Sequence, residues 1–126
     1  MASAKGAVMT AVLLVALGGA VGAVLRYGIV RLLPAHFPWG VLLANVLGSL
    51  LFGVVLAGAS DGMRLLAMVG FCGALTTFST FALDTLILGR EGRSGAATAN
   101  VVLSMAACIA AVAAGLAIGQ ALGLSG

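Results

Sequence analysis

Few side chains in this 126-residue sequence are suited to chemistry, and most of those are neutral. Asn45 lies inside a long apolar run, and its amide offers two N–H donors and a carbonyl. In hydrocarbon such a group either ties neighbouring helices together or lines a polar path for an anion. The residue alone leaves both readings open. Phe78 and Phe81 lie three apart and share a helix face. Such residues usually face core or lipid, but the positive edge of an aromatic ring can also meet an anion. Asn100, Ser104 and Cys108 follow one another at four-residue steps. They form a ladder of two good hydrogen-bonding groups and a weak donor, a pattern that helix-packing polar residues produce equally. Arg26 closes its apolar run and can either snorkel to the interface or be drawn inward. Asp84 falls one turn beyond Phe81, where it can act as a counter-charge. No catalytic set emerges. The one histidine, His36, sits between Pro34 and Pro38, no acids pair, and no metal-ligand spacing occurs. An enzyme is not expected.

The elements that carry these residues follow from composition. Hydrophobic residues make up 63%, glycine takes nineteen positions, mean hydropathy is +1.27 and charged residues are 7%. Soluble domains carry roughly 25% charged residues, so a water-facing globule is excluded, and disorder with it. Charge-free runs cover 20 residues between Lys5 and Arg26, 24 from Phe37 to Ser60, 19 from Leu65 to Leu83 and 33 from Ser94 to Gly126. A membrane helix needs about 20 apolar residues, and the last run is too short for two helices and a turn. The runs lack the alternation of a transmembrane β-barrel. The expectation is an all-α membrane protein: one domain, 1–126, with helices at roughly 7–30, 39–59, 65–88 and 97–123.

The first run continues into Arg26 and Tyr27, longer than the roughly 7–15 apolar residues of a signal peptide, so it reads as a retained helix. Cys72 and Cys108 fall within spans and read as buried free thiols. Lys5 and Arg64 lie on one side of the bundle, Arg31, Arg90 and Arg93 on the other, with Arg26 close to the second group. That bias is weak for the rule by which Lys/Arg set orientation, and such a bundle can insert either way up. It also leaves no soluble basic patch, so no nucleic-acid partner is expected.

Packing signals recur along the chain. Gly18 and Gly22 share a face, and Ala107, Ala111, Gly115, Gly119 and Gly123 form a small-residue stripe for close helix approach. Trp39 is placed as an interfacial anchor. The third run is different, reading GFCGALTTFSTF from Gly70 to Phe81. Glycine weakens a helix by about 1 kcal/mol relative to alanine, and Ser/Thr hydroxyls compete for backbone hydrogen bonds. Either the helix breaks here, freeing carbonyls that can hold a cation, or it continues with its hydroxyls bonded one turn back.

Three stretches resemble the signatures of the CrcB/Fluc fluoride channels: GGAVGAVLRY from Gly18 to Tyr27, GVLLANVLGS from Gly40 to Ser49, and the Gly70–Phe81 run. The resemblance covers nearly the whole chain. It implies a passive channel exporting fluoride across the cytoplasmic (inner) membrane, built as an antiparallel, dual-topology homodimer with the third helix broken. By that resemblance Asn45, Phe78 and Phe81 line the fluoride pathway, with Ser104 and Cys108 near a polar track on the fourth helix. Backbone carbonyls of Gly73 and Thr76 would hold a structural sodium ion at the dimer axis. Val41 stands where members commonly have Thr, Ala74 where they have Gly, and Asp84 where Glu is usual; Cys108 weakens the track if a hydroxyl belongs there. The rival reading is a small four-helix proton-coupled drug exporter. It requires an intramembrane carboxylate, but the first helix has none and Asp84 lies near a span end.

Overall fold

Helix limits in this chain are set by proline, by hydroxyl caps and by glycine. The computed structural model describes residues 1–124; Ser125 and Gly126, part of the expected 1–126 domain, lie outside the described residues. Helix α1 runs Ala2–Leu32, longer at both ends than the expected 7–30, since no breaker precedes Gly6 and none follows before Pro34. Leu33 is extended, φ −97° and ψ 153°, as the residue before a proline is driven to be. At its 31 residues, a rise of 1.5 Å each gives about 46 Å, so α1 outreaches a hydrocarbon core of about 30 Å. Helix α2, Trp39–Leu56, is shorter than the expected 39–59, because the chain turns at Ala57 and Gly58. Phe37 and Trp39 pack ring to ring at 4.7 Å where it begins.

The third span divides into two helices. Ser60 opens it, its Oγ accepting the Met63 N–H at 3.4 Å. Helix α3, residues 61–75, is α-helical at Asp61–Met63, wound wider as a π-helix over Arg64–Cys72, and α-helical again at Gly73–Leu75. Thr76 and Thr77 are extended, and helix α4 follows at Phe78–Arg90. The expected break is therefore present, but glycine does not make it. Gly73 is helical, φ −61° and ψ −35°, and the chain departs only where the hydroxyl run begins. The π-wound stretch was not legible beforehand. Gly92, at φ +76°, turns the chain into helix α5, Ser94–Ala121. This helix starts before the expected 97 and stops short of 123, since Gly123 adopts φ +71° beyond its end. Among the described residues, four helical spans are long and apolar enough to cross a membrane.

Lipid removes the hydrophobic drive between helices, so association rests on close packing. The structure achieves it with glycine. A Cβ on Gly70 of α3 would lie 2.7 Å from the Val15 carbonyl oxygen and 3.0 Å from the Gly19 nitrogen of α1. Gly18 and Gly22 of α1 face the same seam and are buried. Helix α2 rests on α5 through Gly53, Gly115 and Gly119; a Cβ on Gly119 would lie 2.7 Å from the Val54 oxygen. Ala111 joins that stripe in being buried. Gly70→Ala is therefore expected to lower the stability of the protein in detergent by about 1–3 kcal/mol. Gly6→Ala, in open space, should change it by less than about 0.5 kcal/mol. Denaturant unfolding of the two variants side by side checks this.

Candidate functional site

Breaking a helix inside a membrane leaves backbone groups that need partners, and Asn45 supplies them. Thr76 turns out of α3 at φ −81°, ψ 151°, and Thr77 continues at φ −150°, ψ 118°. The Thr77 N–H donates to Asn45 Oδ1 at 2.7 Å. Asn45 Nδ2 in turn donates to the Thr77 carbonyl at 3.2 Å. One carboxamide on α2 thus pairs both main-chain groups of a buried residue, as a neighbouring β-strand would. Thr77 also caps α4, its Oγ1 accepting the Thr80 N–H at 3.2 Å and donating to Thr80 Oγ1 at 3.1 Å.

These bonds decide the fate of two carbonyls. In a continuous helix the Gly73 carbonyl would accept from the Thr77 N–H, and the Thr76 carbonyl from the Thr80 N–H. Both donors are diverted, to Asn45 and to the Thr77 hydroxyl. Thr76 directs its own N–H and hydroxyl back to the Cys72 carbonyl, at 3.0 and 2.9 Å. Gly73 is exposed on the surface of the single chain and Thr76 half-buried. With Gly48 and Ser49 they line a hollow of about 250 Å³.

Phe78 and Phe81 occupy the first turn of α4, directly after the cap. Their ring centroids lie 5.7 Å apart with planes tilted by 47°. Phe78 is 80% exposed and Phe81 half-buried. The face of α5 read as a ladder does turn toward α4. Asn100 Nδ2 donates to Thr85 Oγ1 at 2.9 Å, and Ser104 Oγ donates to Asn100 Oδ1 at 3.5 Å. Cys108 is half-buried further along. Arg26 is half-buried on α1; among the described residues the one ion pair joins Arg93 to Glu91 at 3.8 Å. Asp84 lines a separate cleft of about 210 Å³ with Phe37, Val41 and Arg93. Arg93 staples the mouth of that cleft, its Nη2 donating to the His36 carbonyl at 2.7 Å.

The sequence reading overlooked two threonines, Thr77 and Thr85. Thr77 carried a usable signal, a hydroxyl just before a helix whose third residue is Thr80. Thr85 carried none, because a threonine inside a helix usually bonds its own chain, as this one does to the Phe81 carbonyl at 2.8 Å.

Residues 13–116 match the family model described as "CrcB-like protein, Camphor Resistance (CrcB)". The chain belongs to the CrcB family. The matched segment holds every site residue from Arg26 to Cys108. Among curated CrcB relatives, the chain is similar to the "Fluoride-specific ion channel FluC" of Aeromonas salmonicida (strain A449). The two are 46% identical over 114 residues, covering 82% of this chain and 91% of that protein. It is 47% identical over 110 residues to the protein of the same name from Shewanella baltica (strain OS185), covering 80% and 89%. A third relative so named, from Shewanella sp. (strain ANA-3), matches to the same extent.

Because Asn45 pairs both polar groups of the Thr77 backbone, Asn45→Ala should strand them at a cost of about 1–3 kcal/mol. Asn45→Asp, which accepts from the N–H but cannot donate to the carbonyl while ionised, should also destabilise. Denaturant unfolding in detergent reads both losses. A stability unchanged by Asn45→Ala would mean that the clamp contributes nothing.

Proposed function

We propose that this chain is a fluoride channel that lets the ion leave the cytoplasm passively, and is not an enzyme. The relatives' shared name, at 46–47% identity over about nine tenths of their length, supports the substrate. The observation that carries the reading locally is the Asn45–Thr77 clamp. It presents two phenylalanines at the start of a half-helix at the break in the span, beside neutral hydrogen-bonding groups.

Fluoride is small and strongly hydrated, so a pore must replace its lost water with donors. A fixed cation at the centre would hold it too tightly, whereas conduction needs sites weak enough to release. Neutral groups meet both conditions. On this reading the second Nδ2 hydrogen of Asn45, which has no protein acceptor among the described residues, faces the ion. The ring edges of Phe78 and Phe81 follow, then the Ser104 and Cys108 region of α5, while Arg26 acts structurally and electrostatically. The drug-exporter alternative is not supported. Asp84, the carboxylate it would need, belongs to the cleft beside the 33–38 loop.

The reading extends to an antiparallel, dual-topology homodimer in the inner membrane. Its support is the exposure of Phe78 and Gly73 on one chain together with the weak Lys/Arg bias. The residues also fit a structural sodium ion. Among the described residues no group of three or more His, Cys, Asp or Glu is gathered for a metal, but the Gly73 and Thr76 carbonyls have lost their helical donors. Two copies about a two-fold axis would bring four such oxygens to one hard cation, fixing the break and so the direction of the two phenylalanines.

Liposomes containing only this chain should release fluoride, read with a fluoride electrode, and hold back chloride. Folded Asn45→Asp should slow release at least tenfold, since a hydrogen bond to an ion is worth about 1.5–3 kcal/mol. Equal fluoride and chloride rates would overturn the reading. For the assembly, a cysteine placed at the N-terminus should label from both sides of the membrane. Exchanging sodium for a bulky organic cation should loosen the dimer on size-exclusion chromatography. One-sided labelling would exclude dual topology, and a dimer indifferent to the exchange would exclude the sodium site.

A further inference from the structure

We infer that Asn100 is a positioning residue for Phe81, acting through Thr85. The inference rests on the channel reading above for its functional consequence, and on hydrogen-bond direction for its structural content. A carbonyl can only accept, so the hydroxyl hydrogen of Thr85 is committed to the Phe81 carbonyl at 2.8 Å. The lone pair of the same oxygen then takes the Asn100 Nδ2 hydrogen at 2.9 Å. That orients the amide, leaving Asn100 Oδ1 toward Ser104, whose hydroxyl donates to it at 3.5 Å. The chain of bonds runs one way, from Ser104 through Asn100 and Thr85 to Phe81, and such chains polarise and strengthen one another.

Asn100 is 1% exposed and so has almost no surface left with which to meet an ion. What it does instead is fasten α4 to α5. Helix α4 packs mainly on α5 and only thinly on α2, and polar bonds tie it at two points, Thr77 and Thr85. Phe81 lies between two of them. Asn45 holds Thr77 four residues before it, and Asn100 holds Thr85 four residues after it. The ladder on α5 is therefore not a row of equal donors. Asn100 is anchored inward and sets the ring of Phe81, while Cys108 takes no part in this chain of bonds.

The test places 4-fluorophenylalanine at position 81 and reads its ¹⁹F resonance in detergent, with fluoride release from liposomes as a second arm. Thr85→Val, isosteric but without the hydroxyl, and Asn100→Leu should each move or broaden the resonance. Thr85→Ser, which keeps the hydroxyl, should reproduce the wild type. Each disruptive substitution should slow fluoride release about tenfold, and the Thr85→Val/Asn100→Leu double variant no more than the worse single, as one shared path requires. A resonance unmoved by Thr85→Val overturns the proposal. So do single effects that multiply in the double variant, which would mean that Asn100 meets the ion directly. Thr85→Val carries the decision where Asn100→Leu does not fold. If wild-type liposomes release no fluoride, the channel reading fails, and the ¹⁹F comparison still decides whether Asn100 positions Phe81.

Discussion

The pairing of Asn45 with the backbone of Thr77 is the interaction on which the rest of the site depends. A membrane offers no water to an interrupted helix, so every peptide group in the interruption needs a protein partner. A single carboxamide is well suited, since it carries one donor and one acceptor side by side at the spacing of a peptide. Its two bonds, at 2.7 and 3.2 Å, remove the Thr77 N–H from the helix of α3. They leave the Thr77 hydroxyl to begin α4. From that one exchange come the loss of the Gly73 carbonyl's helical donor, the hydroxyl cap and the placement of Phe78 and Phe81 in a first turn.

The glycines answer a different constraint. Helices in lipid gain little by hiding apolar surface, so they must come close enough for backbone atoms to touch. Gly18, Gly22 and Gly70 bring α1 against α3, and Gly53, Gly115 and Gly119 bring α2 against α5. This gives the bundle a firm frame in which α2 holds Asn45 at a set height. The π-wound stretch of α3 lies along the α1 seam; the wider winding is observed at the close approach, and no single residue accounts for it.

Helix α4 stands apart from that frame. It carries the two phenylalanines yet is secured by hydrogen bonds at Thr77 and Thr85 more than by a tight helix seam. Hydrogen bonds specify direction as well as distance, which packing of smooth apolar surfaces does not. A site for a small, hard anion depends on direction, because donors and ring edges must converge on one point. The division of labour follows: glycine seams fix the scaffold, and the Asn45 and Asn100 amides tie α4 to it at Thr77 and Thr85.

Sequence alone determined the all-helical class, the four spans and the close-packing glycines, because hydrophobic run length, charge position and four-residue glycine spacing are local properties of the chain. It also located the interruption within Gly70–Phe81, though not the residue that makes it, since glycine weakens a helix wherever it stands and Gly73 remains helical. Helix ends differed by a few residues from those expected, at α1 through good helix formers upstream of Gly6 and at α2 through the Ala57–Gly58 turn. Only the tertiary structure supplied the partner of Asn45, by placing its amide against a backbone 32 residues away. It likewise turned Asn100 toward Thr85 instead of toward open space. An amide, a hydroxyl and a carbonyl are each able to bond many partners, and which partner each takes is settled by the packing of helices distant in sequence, not by the residues on either side.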